Sequence, residues 1–276
     1  MDLANAETWE IFLYAALLLS TGALAGFLAG LFGVGGGAVI VPVLYEAIGA
    51  IGVDETVRMH LAIGTSIAVI VPTSIRSYVA HRQLGAVDEA LLRSWTVVLP
   101  IGVVAATIVA GLVGGVGLRG VFAALALVFA LRFLFLGRLP PLGEDLPLQP
   151  TRGLVGLAIG FFSTLMGVGG GIFTNSFMTS FGRSMIQAVA TSAGVGVLIS
   201  VPAFVGYVIA GWGQDVLPFG SLGYVNIAAA AFLVPTTILM APVGVRIAHT
   251  VNRRFLEVGF GVFLLIVAAR FIASLT

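Results

Sequence analysis

One glycine-rich phrase occurs twice in this chain: Gly33-Val34-Gly35-Gly36-Gly37 returns as Gly167-Val168-Gly169-Gly170-Gly171. Consecutive glycines can turn several backbone N–H groups toward one point, a nest that attracts anions. A helix starting just after the nest adds the positive end of its dipole. Gly35, Gly36 and Gly37, with Gly169, Gly170 and Gly171, are therefore candidate amide donors to an oxyanion. Each phrase is followed by a hydroxyl pair, Thr65-Ser66 and Thr191-Ser192. These hydroxyls either donate to the same anion or bond back to a carbonyl of their own helix, and both readings stand. The second copy continues Thr174-Asn175-Ser176 where the first has Ile40-Val41-Pro42. Asn175 is either a further substrate donor or a bond to a neighbouring helix. Such a set recognises a small oxyanion with neutral donors. It avoids a buried Arg, which at a bilayer centre costs about 2.5–3.5 kcal/mol or more.

Other chemistry is excluded. The chain has no Cys, so thiol chemistry and thiolate metal ligation are absent. His60, His81 and His249 share no ligand spacing, so no metal and no other cofactor is expected. His60 stands one turn from Gly64, either beside the pore or as an interfacial histidine at a helix end. Carboxylates are scarce in the apolar runs, which leaves no general acid–base pair and no buried acid for proton coupling. The chain reads as a non-enzyme. A net charge of +1 gives no footprint for nucleic acid.

The elements that must position these residues are membrane helices. Apolar residues make up 59% of the chain and charged residues 9%, against roughly a quarter charged in soluble domains. Mean hydropathy is +1.13, and the apolar runs are continuous rather than alternating, which excludes a β-barrel. The acidic start, with Asp2, Glu7 and Glu10, lacks the basic region of a cleavable signal peptide. Aligning the glycine phrases matches Gly22 and Gly26 with Gly156 and Gly160, pairs read as close helix packing, and Pro100 with Pro235. The expected fold is an all-α integral membrane protein of two repeats, 1–137 and 153–276, joined by a Pro-rich linker, 138–152. Five apolar segments are expected per half, at 11–33, 36–49, 60–81, 95–115 and 119–136, then 153–167, 170–182, 185–211, 224–245 and 255–274. The segment after each glycine phrase is too short to cross a ~30 Å core, so each half holds a glycine-broken helix pair plus about three spanning helices.

Arginines set the orientation. If each broken pair leaves and returns on one side, ten arginines lie at one face and Arg58, Arg119 and Arg270 at the other. If each pair nets one crossing, the split is seven against six and carries no positive-inside signal. The expectation is inverted-topology repeats with both termini outside. Matching broken helices in two halves are the sequence signature of a transporter's binding site.

The glycine phrase with Pro42, then Gly64-Thr65-Ser66 and Gly85-Ala86-Val87-Asp88, resembles the TauE/SafE sulfite exporter family, also called the toluene sulfonate uptake permeases. Ala188-Val189-Ala190-Thr191-Ser192, and Val245-Arg246 through Arg253-Arg254-Phe255, extend the likeness over nearly the whole chain. The resemblance implies secondary transport, commonly export across a bacterial inner membrane, of a small sulfur oxyanion or organosulfonate such as sulfite or sulfoacetate. The alternative is an anion channel using the same glycine nests. The expected partners are the small anion and the lipid bilayer.

Overall fold

Long apolar runs can satisfy their backbone groups in lipid only as helices, and helices are what form. The structure is a computed structural model that describes residues 8–32, 36–136, 142–143, 145–248 and 250–275. The first half holds α1 (Thr8–Phe32), α2 (Gly37–Ala50), α3 (Glu55–Gln83), α4 (Glu89–Trp95), α5 (Val98–Leu112) and α6 (Gly115–Leu131), the last prolonged by a π-helical turn at Arg132–Leu136. The second holds α7 (Thr151–Leu165), α8 (Gly171–Ser180), α9 (Met185–Ala210), α10 (Ile227–Ala248) and α11 (Arg253–Ala273). Two-residue strands β1 (Ser221–Leu222) and β2 (Val225–Asn226) form an antiparallel hairpin before α10.

Five described helices are long and apolar enough to cross a membrane: α3, α6 with its π turn, α9, α10 and α11. The expected segment at 95–115 is α5, and a short helix, α4, precedes it; the two are bent by 48° and together long enough for a sixth crossing. The reason is local. Asp88 Oδ1 accepts from Leu91 N at 2.9 Å and starts a separate short helix ahead of the run.

The two halves interlock. In parallel pairs, α1 lies along α10 and α7 along α5. A Cβ on Gly26 would stand 2.6 Å from the Thr237 carbonyl oxygen, and one on Gly22 would meet Leu233. Gly156 and Gly160 face Trp95 and the Leu99 carbonyl in the same way, so both glycine pairs serve close helix packing. The remaining equivalents pair with each other and run antiparallel. Along α3 and α9, Gly64 lies against Tyr207, Ser74 against Gly196, and Tyr78 against Gly194. Along α6 and α11, Arg119 near the start of one reaches Ser274 past the end of the other, at 3.3 Å. Arg254, at the start of α11, donates to the Phe133 and Leu134 carbonyls at 2.9 and 2.7 Å.

Arg58, Arg119 and Arg270 gather around Tyr45 and Glu46 at the end of α2. Arg119 is 2% exposed and bonds Tyr45 Oη at 3.0 Å and the Glu55 carboxylate. The Arg58 guanidinium lies 5.4 Å from the Tyr45 ring centroid, and Arg270 pairs with Glu46 at 3.2 Å.

Candidate functional site

Both glycine phrases break a helix. Gly36 (φ +74°) caps α2, and Gly170 (φ +76°) caps α8. That region of backbone space costs an L side chain roughly 1–2 kcal/mol, which is why glycine stands there. Gly167 (φ +65°) turns the chain out of α7, its N–H donating to Thr164 O at 3.1 Å. Each cap carbonyl starts its helix, Gly36 O accepting from Ile40 N at 2.9 Å and Gly170 O from Thr174 N at 2.8 Å. The earliest amides, those of Gly171, Ile172 and Phe173 in α8, precede any intrahelical carbonyl they could bond. Gly35 lies outside the described residues.

The two breaks touch. A Cβ on Gly37 would overlap the Gly167 carbonyl oxygen and stand 2.7 Å from Val168 Cα. Ser66 Oγ donates to that same Gly167 oxygen at 2.9 Å. Beside them α3 crosses α9, where a Cβ on Gly196 would lie 3.2 Å from Gly169 O. Residues 163–172 are all buried. The structure thus brings Gly37, Ser66 and Gly167 together at a buried contact between the halves, with Gly169 against Gly196 of α9.

The threonines of the hydroxyl pairs do something the sequence did not reveal. Thr65 Oγ1 accepts the N–H of Asn226 at 2.9 Å, and Asn226 Oδ1 in turn accepts from Ala229 N at 2.7 Å. Thr191 Oγ1 accepts the N–H of Asp88 at 2.9 Å, and Asp88 caps α4. Each threonine therefore pins the helix-capping residue of the opposite half. Ser192 Oγ donates to Val189 O at 2.9 Å, the back-bonded alternative.

The second break is the more polar. Among the described residues, the buried hydroxyls without a partner are Ser163 Oγ, Thr174 Oγ1 and Ser200 Oγ, and Asn175 Oδ1 is likewise unmatched. Asn175 is 8% exposed. A Cβ on Gly170 would lie 3.7 Å from Ser163 Oγ, and a Cβ on Gly36 the same 3.7 Å from Ala29 Cβ. The two caps share a positive φ while their chemistry differs: Ser163, Thr174 and Asn175 stand where the first half has Ala29, Ile40 and Val41. Ser163 and Ser200 were missed in the sequence, although the repeat alignment held the signal for Ser163 by setting it against Ala29.

His60 is packed inside the protein, against the end of α5. It is 4% exposed, with Nε2 2.9 Å from Ala110 O and 3.0 Å from Val113 O, and its ring stacks on Tyr224 at 4.5 Å. Among the described residues no three His, Asp or Glu side chains converge as metal ligands would.

Known membrane transporter proteins resemble this chain over more than nine-tenths of its length. The chain is 33% identical over 259 residues to a probable membrane transporter protein of Haemophilus influenzae, covering 94% of this chain and 98% of the relative. It is 25% identical over 258 residues to a probable membrane transporter protein of Methanocaldococcus jannaschii, covering 91% and 92%. No solved structure matches. Residues 18–271 match the family described as Sulfite exporter TauE/SafE. With its several apolar helices, the chain is a multi-pass membrane protein and a transporter rather than an enzyme, and it belongs to the TauE/SafE sulfite exporter family.

Proposed function

We propose that the protein is a secondary transporter that exports a small sulfur oxyanion or organosulfonate, such as sulfite or sulfoacetate, across a bacterial inner membrane. The cargo binds at the meeting point of the two glycine breaks. Gly35, Gly36, Gly37, Gly169, Gly170 and Gly171 offer backbone N–H groups, and Asn175 and the hydroxyls around it add side-chain donors. Thr65 and Thr191, each already accepting an amide proton, hold the frame of this site and keep their own hydroxyl protons to donate.

The observation that carries the reading is the buried contact of the start of α2 with the turn that leads into α8: a Cβ on Gly37 would overlap Gly167 O, and Ser66 Oγ donates to the same oxygen. Inverted repeats and alternating access follow from the same frame. A two-fold axis along the membrane normal keeps equivalent helices parallel, whereas one in the membrane plane reverses them. The antiparallel α3–α9 and α6–α11 pairs support the in-plane axis. Rocking one set of helices against the other about the fixed breaks would expose the site to each face in turn. The dry packing of Gly37 on Gly167 speaks against a permanently open pore.

Sulfite counterflow in proteoliposomes tests the reading. Uptake should saturate and should accelerate when unlabelled sulfite is trapped inside. Flux that rises linearly with concentration, without trans-stimulation, would mean a channel.

A further inference from the structure

Buried hydroxyls on helices can donate to the carbonyl three or four residues back. Thr164 bonds Gly160 O at 2.7 Å and Ser192 bonds Val189 O at 2.9 Å. Ser163 and Thr174 make no such bond, although both are 0% exposed. Both belong to one spot, the N-terminal turn of α8. Ser163 Oγ lies 3.7 Å from the place of a Gly170 Cβ. Thr174 is in that first turn, its N–H donating to Gly170 O at 2.8 Å. Two unsatisfied donors at one helix start, both from the second half, mark a polar spot on that half.

Charge limits what this spot can take. Neither α8 nor α9 carries an Arg, His, Asp or Glu. The positive end of α8 amounts to about half an elementary charge, so it offsets part of one negative charge and no more. A second negative charge would be buried without compensation, at a cost that rises steeply in a dry interior. We propose, resting on the transport reading above, that the cargo is a monovalent oxyanion gripped by the hydroxyls of Ser163 and Thr174. Divalent forms are excluded by charge rather than by size. Sulfite exchanges its second proton near neutral pH, so it enters as hydrogensulfite and the proton rides on the cargo. Proton movement then needs no buried carboxylate, in keeping with their scarcity.

The titratable groups on the packed elements stand away from this spot. On α3, His60 is bonded to the Ala110 and Val113 carbonyls and Arg76 is exposed. The exposed Glu46 near the end of α2 pairs with Arg270, and Arg152 at the start of α7 donates to Pro147 O. Tyr207 on α9 donates to Thr164 O at 3.4 Å and is a neutral phenol near neutral pH.

Equilibrium binding of sulfite, methanesulfonate and sulfate to the purified protein tests the proposal between about pH 6 and about pH 8. Methanesulfonate, a monoanion throughout, should bind with little pH dependence. Sulfite binding should weaken as pH rises, approaching ~tenfold per unit above its proton exchange. Sulfate should not compete. Ser163→Ala and Thr174→Val should each weaken both monoanions about tenfold or more while leaving the melting temperature nearly unchanged. Tight sulfate binding, sulfite binding that does not fall with pH, or hydroxyl variants of full affinity would each overturn this inference and leave the transport reading standing. If neither monoanion binds, both fall.

Discussion

The first and second glycine breaks share a positive-φ cap and differ in chemistry. Gly36 and Gly170 take nearly the same φ, +74° and +76°, while their ψ angles are −50° and −4°. Ala29, Ile40 and Val41 hold the positions in the first copy that Ser163, Thr174 and Asn175 hold in the second. Duplication preserves what geometry demands, because a helix restart inside the membrane tolerates few residues at its cap. Side chains around the cap are under no such demand. A single small anion can be gripped by one polar wall only, so the other wall is free to be apolar.

The comparison breaks most visibly at the level of whole halves. Single cysteines at Gln83 and Gly213, in a chain without native cysteines, should react with an impermeant maleimide from opposite faces of the membrane. Labelling of both from the same face would rule out inverted halves. A smaller but still large difference is expected at the caps themselves. Gly170→Val drives Cβ to 2.8 Å from both Val195 and Ile199, whereas Gly36→Val meets nothing closer than Ile40 at 3.5 Å. Both substitutions carry the positive-φ penalty of roughly 1–2 kcal/mol, but only Gly170→Val adds a clash. Calorimetry should find sulfite binding abolished in Gly170→Val and weakened in Gly36→Val, with both proteins still inserted. Equal affinities in the two variants would undo the asymmetry. The mildest test is Asn175→Ala against Val41→Ala. Loss of a neutral donor to a charged ligand typically costs about 1.5–3 kcal/mol, so Asn175→Ala should weaken binding about tenfold or more. Val41→Ala removes no hydrogen bond, and its affinity should hardly move. If Asn175→Ala leaves affinity intact, the residue is structural.

Features fixed by neighbours in the chain were legible in the sequence. The glycine breaks and the short helices after them followed from local composition. Features fixed by distant partners were not. Thr65 and Thr191 read as donors or back-bonded hydroxyls, because nothing local points to Asn226 or Asp88 as their partners. His60 read as a residue of the pore or the interface, because its carbonyl partners belong to the end of α5. Ser163 and Ser200 looked like ordinary helix serines, and only the absence of the usual carbonyl bond sets them apart. The short helix α4 was not legible because Glu89, Arg93 and Ser94 keep it outside the apolar run that follows.

The interlocked packing of the halves also governs the order of assembly. A ribosome delivers α1 first, yet the backbone that its Gly22, Gly26 and Gly30 fit belongs to α10. Until α10 emerges, that stripe faces lipid or the insertion machinery with no partner of its own shape. The same wait is short for α5, whose partner α7 follows closely in the chain. A nascent chain arrested before Ile227 therefore holds the α5–α7 seam but lacks the α1–α10 seam, and exposes the glycine stripe that membrane quality control can recognise.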